Sequence, residues 1–288
     1  MNKIALIFSK SRADTIGNYV ENVFRQFNIS YDHYCSSKMD EIPSNYELYF
    51  RLADGYEQRI MPLHLKPNVY WVADIHLKAP FHHMIEQVGN YDIIFSFLHL
   101  GVEKLKEKSK KIYLISCACD PSIHRRLSLP KIYDLGFVGT DGGSPRKFVL
   151  QELRERYPRS FLGLAPHTKI AEIYSQSKIG FNYAIRGEGM TMRSFEIPAC
   201  GTVLFMQKIK QEWLEDLGFH DGKNIIIYEN LDHLVELINY YLVHEVEKEK
   251  IAQSGYELVH SRHTYAHKVK QVISHIQENL NILRNVRV

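Results

Sequence analysis

Residues 179–206 read IGFNYAIRGEGMTMRSFEIPACGTVLFM. Two short apolar runs, 179–183 and 202–206, bracket a stretch with Gly187 and Gly189 near its start and Gly201 near its end. Short runs rich in branched and aromatic side chains, without polar alternation, mark strands buried on both faces, as in parallel sheets. The simplest parse is strand, glycine-containing loop, helix, glycine stop, strand, which is one unit of a parallel α/β sheet.

The same rhythm extends outward in both directions. Apolar runs at 3–8, 46–52, 69–72, 93–97, 112–115 and 135–138 precede this unit or lead into it, and runs at 160–164 and 225–228 flank it. Helical segments such as 147–156 separate them, so the repetition predicts two α/β units. The boundary is expected near 128–133, SLPKIY, where a proline precedes the first strand of the second unit. Helical spacing of Leu231, Leu234, Val235, Ile238, Tyr241 and Leu242 predicts a helix over 231–243 with Asn230 as its N-cap. The run EVEKEKIAQ reads as a solvated helix face. Val269, Val272, Ile273, Ile276, Leu280 and Leu283 form a last apolar stripe, opposite Lys268, Lys270, Gln277 and Glu278, and that stripe needs a groove to cover it.

The 288 residues contain 36 Lys plus Arg against 33 Asp plus Glu, for a net charge of +3. That balance gives no support to a nucleic-acid or membrane partner. At 45% hydrophobic and 24% charged residues the composition is that of a globular chain. Residues 1–14 hold too few apolar residues for a signal-peptide core, and no run is long enough to span a bilayer, so a cytoplasmic protein without stable membrane insertion is expected. Cys117 and Cys119 are two apart while Cys35 and Cys200 stand alone, which predicts reduced thiols. His82, His83, Asp120 and His124 lack metal-ligand spacing, and no metal is expected. The segment around Gly17 lacks G-x-G-x-x-G, and neither G-x-S-x-G nor GxxxxGK[ST] occurs.

Chemistry concentrates in the opening stretch. Gly187 and Gly189 permit a tight turn around Glu188, and a helix starting near Met190 would point unpaired amides and its positive end outward, as an anion site does. Arg186 and Arg193 add guanidinium donors. Glu188 and Glu196 are carboxylates suited to accept hydrogen bonds from sugar hydroxyls. Each also has a plainer reading: a solvated loop acid for Glu188, a surface acid paired with Arg193 for Glu196, ordinary turns for the glycines. Gly139 and Arg146 lie in GTDGGSPRK, which by itself reads as an ordinary turn more often than as a phosphate loop. Lys178 reads as a solvated strand-entry residue. Asp74 and His76 follow the strand 69–72, where open α/β sheets collect ligands, although Asp74 also fits as a cap.

The spacing Glu188, seven residues, Glu196, followed by residues 197–201 and an apolar strand, resembles the E-x7-E donor motif of GT-B glycosyltransferases of the retaining, glycogen-synthase-like kind. A wider set of segments resembles the CgeB-like, spore-maturation type of glycosyltransferase: DLGFVGTDGGSPRKFVLQEL, YSQSKIGFNYA, MRSFEIPACGTVLF, ENLDHLVELINYYL and HSRHTYAHKV, in that order. The first half resembles the family only through VYWVADIHL, YDIIFSF and CDPSIHRR.

The resemblance implies an α/β GT-B fold with two Rossmann-like domains facing across a cleft. Residues 1–130 would form the acceptor-side domain, 131–262 the nucleotide-sugar-binding domain, and 263–288 a helix packing back on the first. It makes Glu196 the ligand of the nucleotide ribose and Glu188 the contact to the donor sugar, with amides of Met190 and Thr191 on that sugar or its phosphate. Gly139 and Arg146 would lie beside the diphosphate, and Asn182, Arg186, Gly189 and Arg193 complete the donor-binding set. Glu188 and Arg146 carry catalysis in this reading, with Asp74 as base if the enzyme inverts. The implied activity is hexosyl transfer from a UDP-sugar, retaining and metal-independent, to a glycan, protein, metabolite or, less favoured, nucleic acid. A nucleotide-sugar epimerase and a non-catalytic nucleotide-sugar-binding subunit are the alternatives.

Overall fold

A computed structural model describes residues 3–53, 59–75, 77–109, 111–184 and 189–288. The chain divides into two units, Met1–Ser116 with Tyr265–Val288, and Cys117–Thr264.

In the first unit the chain runs β1 (Ile4–Ile7), α1 (Ile16–Gln26), β2 (Tyr31–Tyr34), β3 (Leu48–Leu52), β4 (Asn68–Val72), α2 (Lys78–Gln87), β5 (Ile93–Ser96), α3 (His99–Leu105) and β6 (Ile112–Leu114). The six strands form one sheet in the order β2-β1-β3-β4-β5-β6, every pair parallel. Strands β1, β3 and β5 are buried at every residue, with Arg51 of β3 and Ser96 of β5 buried among the apolar side chains. Edge strand β2, YDHY, pairs with β1 alone and is half-buried throughout, which is why it carries no apolar run.

The second unit runs β7 (Tyr133–Val138), α4 (Arg146–Arg156), β8 (Phe161–Gly163), α5 (Ile170–Ser175), β9 (Ser177–Asn182), α6 (Arg193–Ala199), β10 (Val203–Gln207), α7 (Gln211–Asp216), β11 (Ile226–Tyr228), α8 (Leu231–Val243) and α9 (Glu245–Arg262). Its five strands are parallel in the order β11-β10-β9-β7-β8. Leu135, Phe137, Ile179, Phe181, Val203 and Phe205 meet Leu150, Leu153, Leu234 and Ile238 in one core. Helix α8 has the expected bounds, and the Asn230 side chain accepts from the His233 N–H at 3.0 Å. Residues 245–253 open α9, with Lys248, Ile251 and Ala252 turned inward.

Residues 117–130 belong to the second unit, so the division falls before the proline-marked stretch at 128–133. Three contacts explain this: the Cys119 N–H donates to the His263 carbonyl at 2.9 Å, the Leu127 N–H to Ser175 Oγ at 2.9 Å, and the Arg126 guanidinium lies 4.6 Å from the Tyr256 ring centroid.

Helix α10 (Tyr265–Leu280) belongs to the first unit. Its stripe is covered there: Tyr265 stacks on Tyr19 of α1 at 4.7 Å, and His275 on Tyr113 at 4.2 Å. Lys268, read as solvent-facing, is instead buried. Leu283 lies past the helix, fully buried, with its N–H on Glu47 Oε1 at 2.7 Å. All four cysteines are free thiols, three of them buried. Among the described residues no helix is long and apolar enough to cross a membrane.

Candidate donor site

In the second unit the chain leaves β7, pairs β8 on one side, then crosses to β9 on the other. The carboxyl ends of β7 and β9 therefore flank a topological switch point, the place where open α/β sheets bind ligands. Arg193, the first residue of α6, bridges these two ends. Its Nε donates to the Val138 carbonyl at 2.9 Å and its Nη1 to Asn182 Oδ1 at 2.9 Å. Asn182 is fully buried, and its Nδ2 donates to Ser194 Oγ at 3.0 Å and Thr191 Oγ1 at 3.2 Å. Strand end, loop and helix start are thus joined through one amide.

Arg146, at the start of α4, approaches the same place and is 5% exposed. Its Nε donates to the Asp141 carbonyl at 3.2 Å, its Nη1 to the Tyr183 carbonyl at 3.3 Å and its Nη2 to Thr140 Oγ1 at 3.3 Å. Both guanidinium groups lie near the Phe137 ring, at 5.7 Å for Arg146 and 4.6 Å for Arg193. Burial, with the positive charge of Arg193 beside it, pushes the Arg146 pKa down to about 10 against the opposing pull of Asp141. Among the described residues neither arginine has a carboxylate hydrogen-bond or ion-pair partner; their acceptors are neutral oxygens. Two like charges held together this way favour an anion between or beside them.

Gly139 makes this packing possible. It sits at φ +156°, and a Cβ there would stand 2.9 Å from Arg193 Nη2. Tyr174 and Tyr228 close the strand ends from below: the Val138 N–H donates to Tyr174 Oη at 3.2 Å, and Tyr228 Oη donates to the Asn182 carbonyl at 2.9 Å. Burial raises the pKa of both phenols, so both remain neutral donors or acceptors.

Glu196 lies one turn into α6 and is 6% exposed. It faces His124, not Arg193, with Nε2 to Oε1 at 3.5 Å. His124 is completely buried, and its Nδ1 accepts the Asp120 backbone N–H at 3.0 Å. An acceptor at Nδ1 places the ring proton on Nε2, toward the carboxylate. Burial pushes the His124 pKa from 6.5 down to about 4, with Asp120 opposing and His167 adding to the shift. The unfolded chain therefore takes up a proton below pH 6.5 that the folded chain refuses until about pH 4. Stability from this group is complete above pH 6.5 and falls by about 3 kcal/mol as pH drops from 6.5 toward 4. Thermal melts over this range should show a shallower acid slope for His124→Gln than for wild type. The difference isolates this group from His33, His267 and His275, whose pKa values are also lowered.

Of the other sequence-predicted residues, Arg186 and Glu188, with Gly187, lie outside the described residues, as does His76. Gly189 has φ +128°, and Met190 is buried. Helix α6 begins at Arg193 and not near Met190, because Thr191 and Ser194 are both held by Asn182; it stops at Ala199, one residue after Pro198. Lys178 pairs with Asp134 Oδ1 at 2.8 Å. Asp74 lies in the first unit beyond the carboxyl end of β4, exposed at φ +55°, with its carbonyl accepting the Leu77 N–H at 2.8 Å. Among the described residues no group of three or more His, Cys, Asp or Glu is arranged to hold a metal ion. Sequence reading missed the parts played by His124, Ser194 and Tyr228; the four-residue spacing of Asp120 and His124, read only for metals, was the available signal.

A family model described as glycosyl transferase-like matches residues 125–274, just over half of the chain, including α4, α6 and both bridging arginines. The chain belongs to the glycosyl transferase-like family. No curated protein sequence matches this glycosyltransferase-like chain significantly. Among solved structures it is similar to sucrose-phosphate synthase from Thermosynechococcus elongatus, at TM-score 0.70 and 12% identity, over 98% of this chain and 100% of that one. It is also similar to HepE of Anabaena in complex with UDP-glucose, at TM-score 0.67 and 12% identity, over 96% and 99% of the two chains. Phage T4 β-glucosyltransferase follows at TM-score 0.61 and 14% identity, over 97% and 100%. The glycosyltransferase-like chain thus has the GT-B fold of two parallel-sheet α/β units.

Proposed function

We propose that the chain is a CgeB-like hexosyltransferase that uses a UDP-sugar donor. The observation that carries this reading is the pair of buried or half-buried guanidinium groups, Arg146 and Arg193, held by neutral acceptors at the carboxyl ends of β7 and β9. A diphosphate supplies the missing negative charge. Family membership supports sugar transfer, and the complex of HepE with UDP-glucose supports the choice of donor.

In the proposed reaction the bond between the anomeric carbon and the diphosphate oxygen breaks, and a new bond forms to an acceptor hydroxyl oxygen. The charge that develops on the leaving UDP is stabilised by Arg146 and Arg193 without a metal. With retention of configuration the leaving phosphate takes the acceptor proton, so no protein base is needed; if configuration inverts, Asp74 is the base. Glu196 reads the ribose and Glu188 the sugar hydroxyls, with Arg186, Gly189, Met190 and Thr191 completing the donor contacts. The first unit serves the acceptor.

Product analysis tests this. Incubation with UDP-glucose, alone and with candidate acceptors, is expected to yield UDP and either a glucosylated product or slow release of glucose. Recovery of an isomerised UDP-sugar would mark an epimerase instead. Tight binding without any turnover would mark a non-catalytic subunit.

A further inference from the structure

Residues 119–124 form a rigid support whose buried tip is an imidazole. The Cys119 N–H is fixed to the His263 carbonyl at 2.9 Å, and the His263 ring contacts the Leu217 carbonyl through Nε2 at 2.8 Å. Asp120 Oδ1 accepts from the Ser122 N–H at 2.9 Å and from Ser122 Oγ at 2.7 Å, while the Asp120 carbonyl accepts the N–H groups of Ile123 at 3.0 Å and His124 at 2.7 Å. The Asp120 N–H, donating to Nδ1, then fixes the ring plane and the tautomer. Nε2 of this ring faces the Glu196 carboxylate, with Oε1 at 3.5 Å.

We propose that His124 is a positioning residue for recognition of the nucleotide ribose. Its Nε2–H faces Oε1 of Glu196 at 3.5 Å, and this attraction turns the carboxylate to accept from the 2′- and 3′-hydroxyls of a nucleoside diphosphate. A carboxylate on a short helix has free χ torsions, and an N–H dipole on a ring fixed through its other nitrogen narrows that freedom before the ligand arrives. This is the same logic by which a second hydrogen bond orients a metal-bound histidine. The inference rests on reading the switch point as a nucleotide-sugar donor site.

The test compares UDP with 2′,3′-dideoxy-UDP, by calorimetric titration, on wild type and on two polar variants. His124→Gln keeps an N–H donor at the distance of Nε2; His124→Asn is one methylene shorter and cannot reach Glu196. Wild type is expected to bind UDP about tenfold more tightly than the dideoxy analogue, the size of a hydrogen bond to a charged group. His124→Gln should retain most of that ratio, and His124→Asn should bring it near one by weakening UDP alone. A structural role would weaken both ligands alike in His124→Asn and leave the ratio intact, which overturns the proposal. Wild type that binds UDP without discriminating the analogue also overturns it while leaving the donor site standing. Wild type that binds neither ligand removes the donor-site reading and this inference together.

Discussion

Arg146→Ala is expected to lower the rate of nucleotide-sugar cleavage about 10²- to 10³-fold, the range typical for removing one preorganised donor to a developing negative charge. The loss should fall on kcat more than on KM, because the charge on the leaving diphosphate grows as the bond breaks. Arg146→Lys should recover little. A single ammonium cannot reproduce three donors directed at the Asp141 and Tyr183 carbonyls and Thr140 Oγ1, nor the planar fork that meets a phosphate. Arg193→Ala should cost activity as well, and in addition stability, since Arg193 ties the Val138 carbonyl at the end of β7 to Asn182 at the end of β9. Steady-state kinetics on UDP-glucose with parallel thermal melts separates the two arginines. An Arg146→Ala enzyme that keeps wild-type kcat would remove Arg146 from the chemistry.

Gly180 should tolerate no side chain without a cost to folding. It lies in the middle of β9, and a Cβ there would meet Ile197 Cγ2 at 2.2 Å, with Cγ1 at 3.2 Å and Cβ at 3.3 Å. Ile197 is fully buried and branched at Cβ, so it cannot swing away, and α6 itself must lift from the sheet. Gly180→Ala is expected to cost about 1–3 kcal/mol by overpacking, and Gly180→Val more. Because α6 carries Arg193 and Glu196, donor affinity should fall with stability. Combining Gly180→Ala with Ile197→Ala should cost less than the two changes summed, since the smaller side chain makes room for the added methyl. Gly163 is the control: a Cβ there meets nothing within 4 Å, and Gly163→Ala should stay within about 0.5 kcal/mol of wild type. Denaturant melts of these variants, with Ile197→Ala alone included, read the differences. Full additivity of the pair would show that α6 is not held at this distance by Gly180.

The α/β class was legible because the strands are buried on both faces, so burial alone writes short apolar runs such as IALI and VLFMQ into the chain. Edge strand β2 was not legible for the converse reason: half-exposed and paired on one side only, YDHY needs no apolar run. The start of α6 was misplaced because the decisive contacts, from Asn182 to Thr191 and Ser194, connect residues nine and twelve apart through a fully buried amide and leave no local signal. Arg193 shows how the sequence can point to the wrong partner: helical spacing offers Glu196, whereas the fold offers Val138, 55 residues away. In the sequence Asp120 and His124 are only two residues without metal-ligand spacing. Only the fold shows that the histidine is buried against Glu196, where its surroundings keep it neutral.

The central claim is that Arg146 and Arg193 hold a nucleoside diphosphate at the carboxyl ends of β7 and β9. Calorimetric titration of UDP into wild type and into the Arg146→Ala and Arg193→Ala proteins tests it most directly. The account predicts saturable one-to-one binding to wild type, with each single variant weakened about tenfold or more by loss of a charge-assisted contact. Equal UDP affinity in all three folded proteins, or no binding to wild type at millimolar UDP, would contradict it.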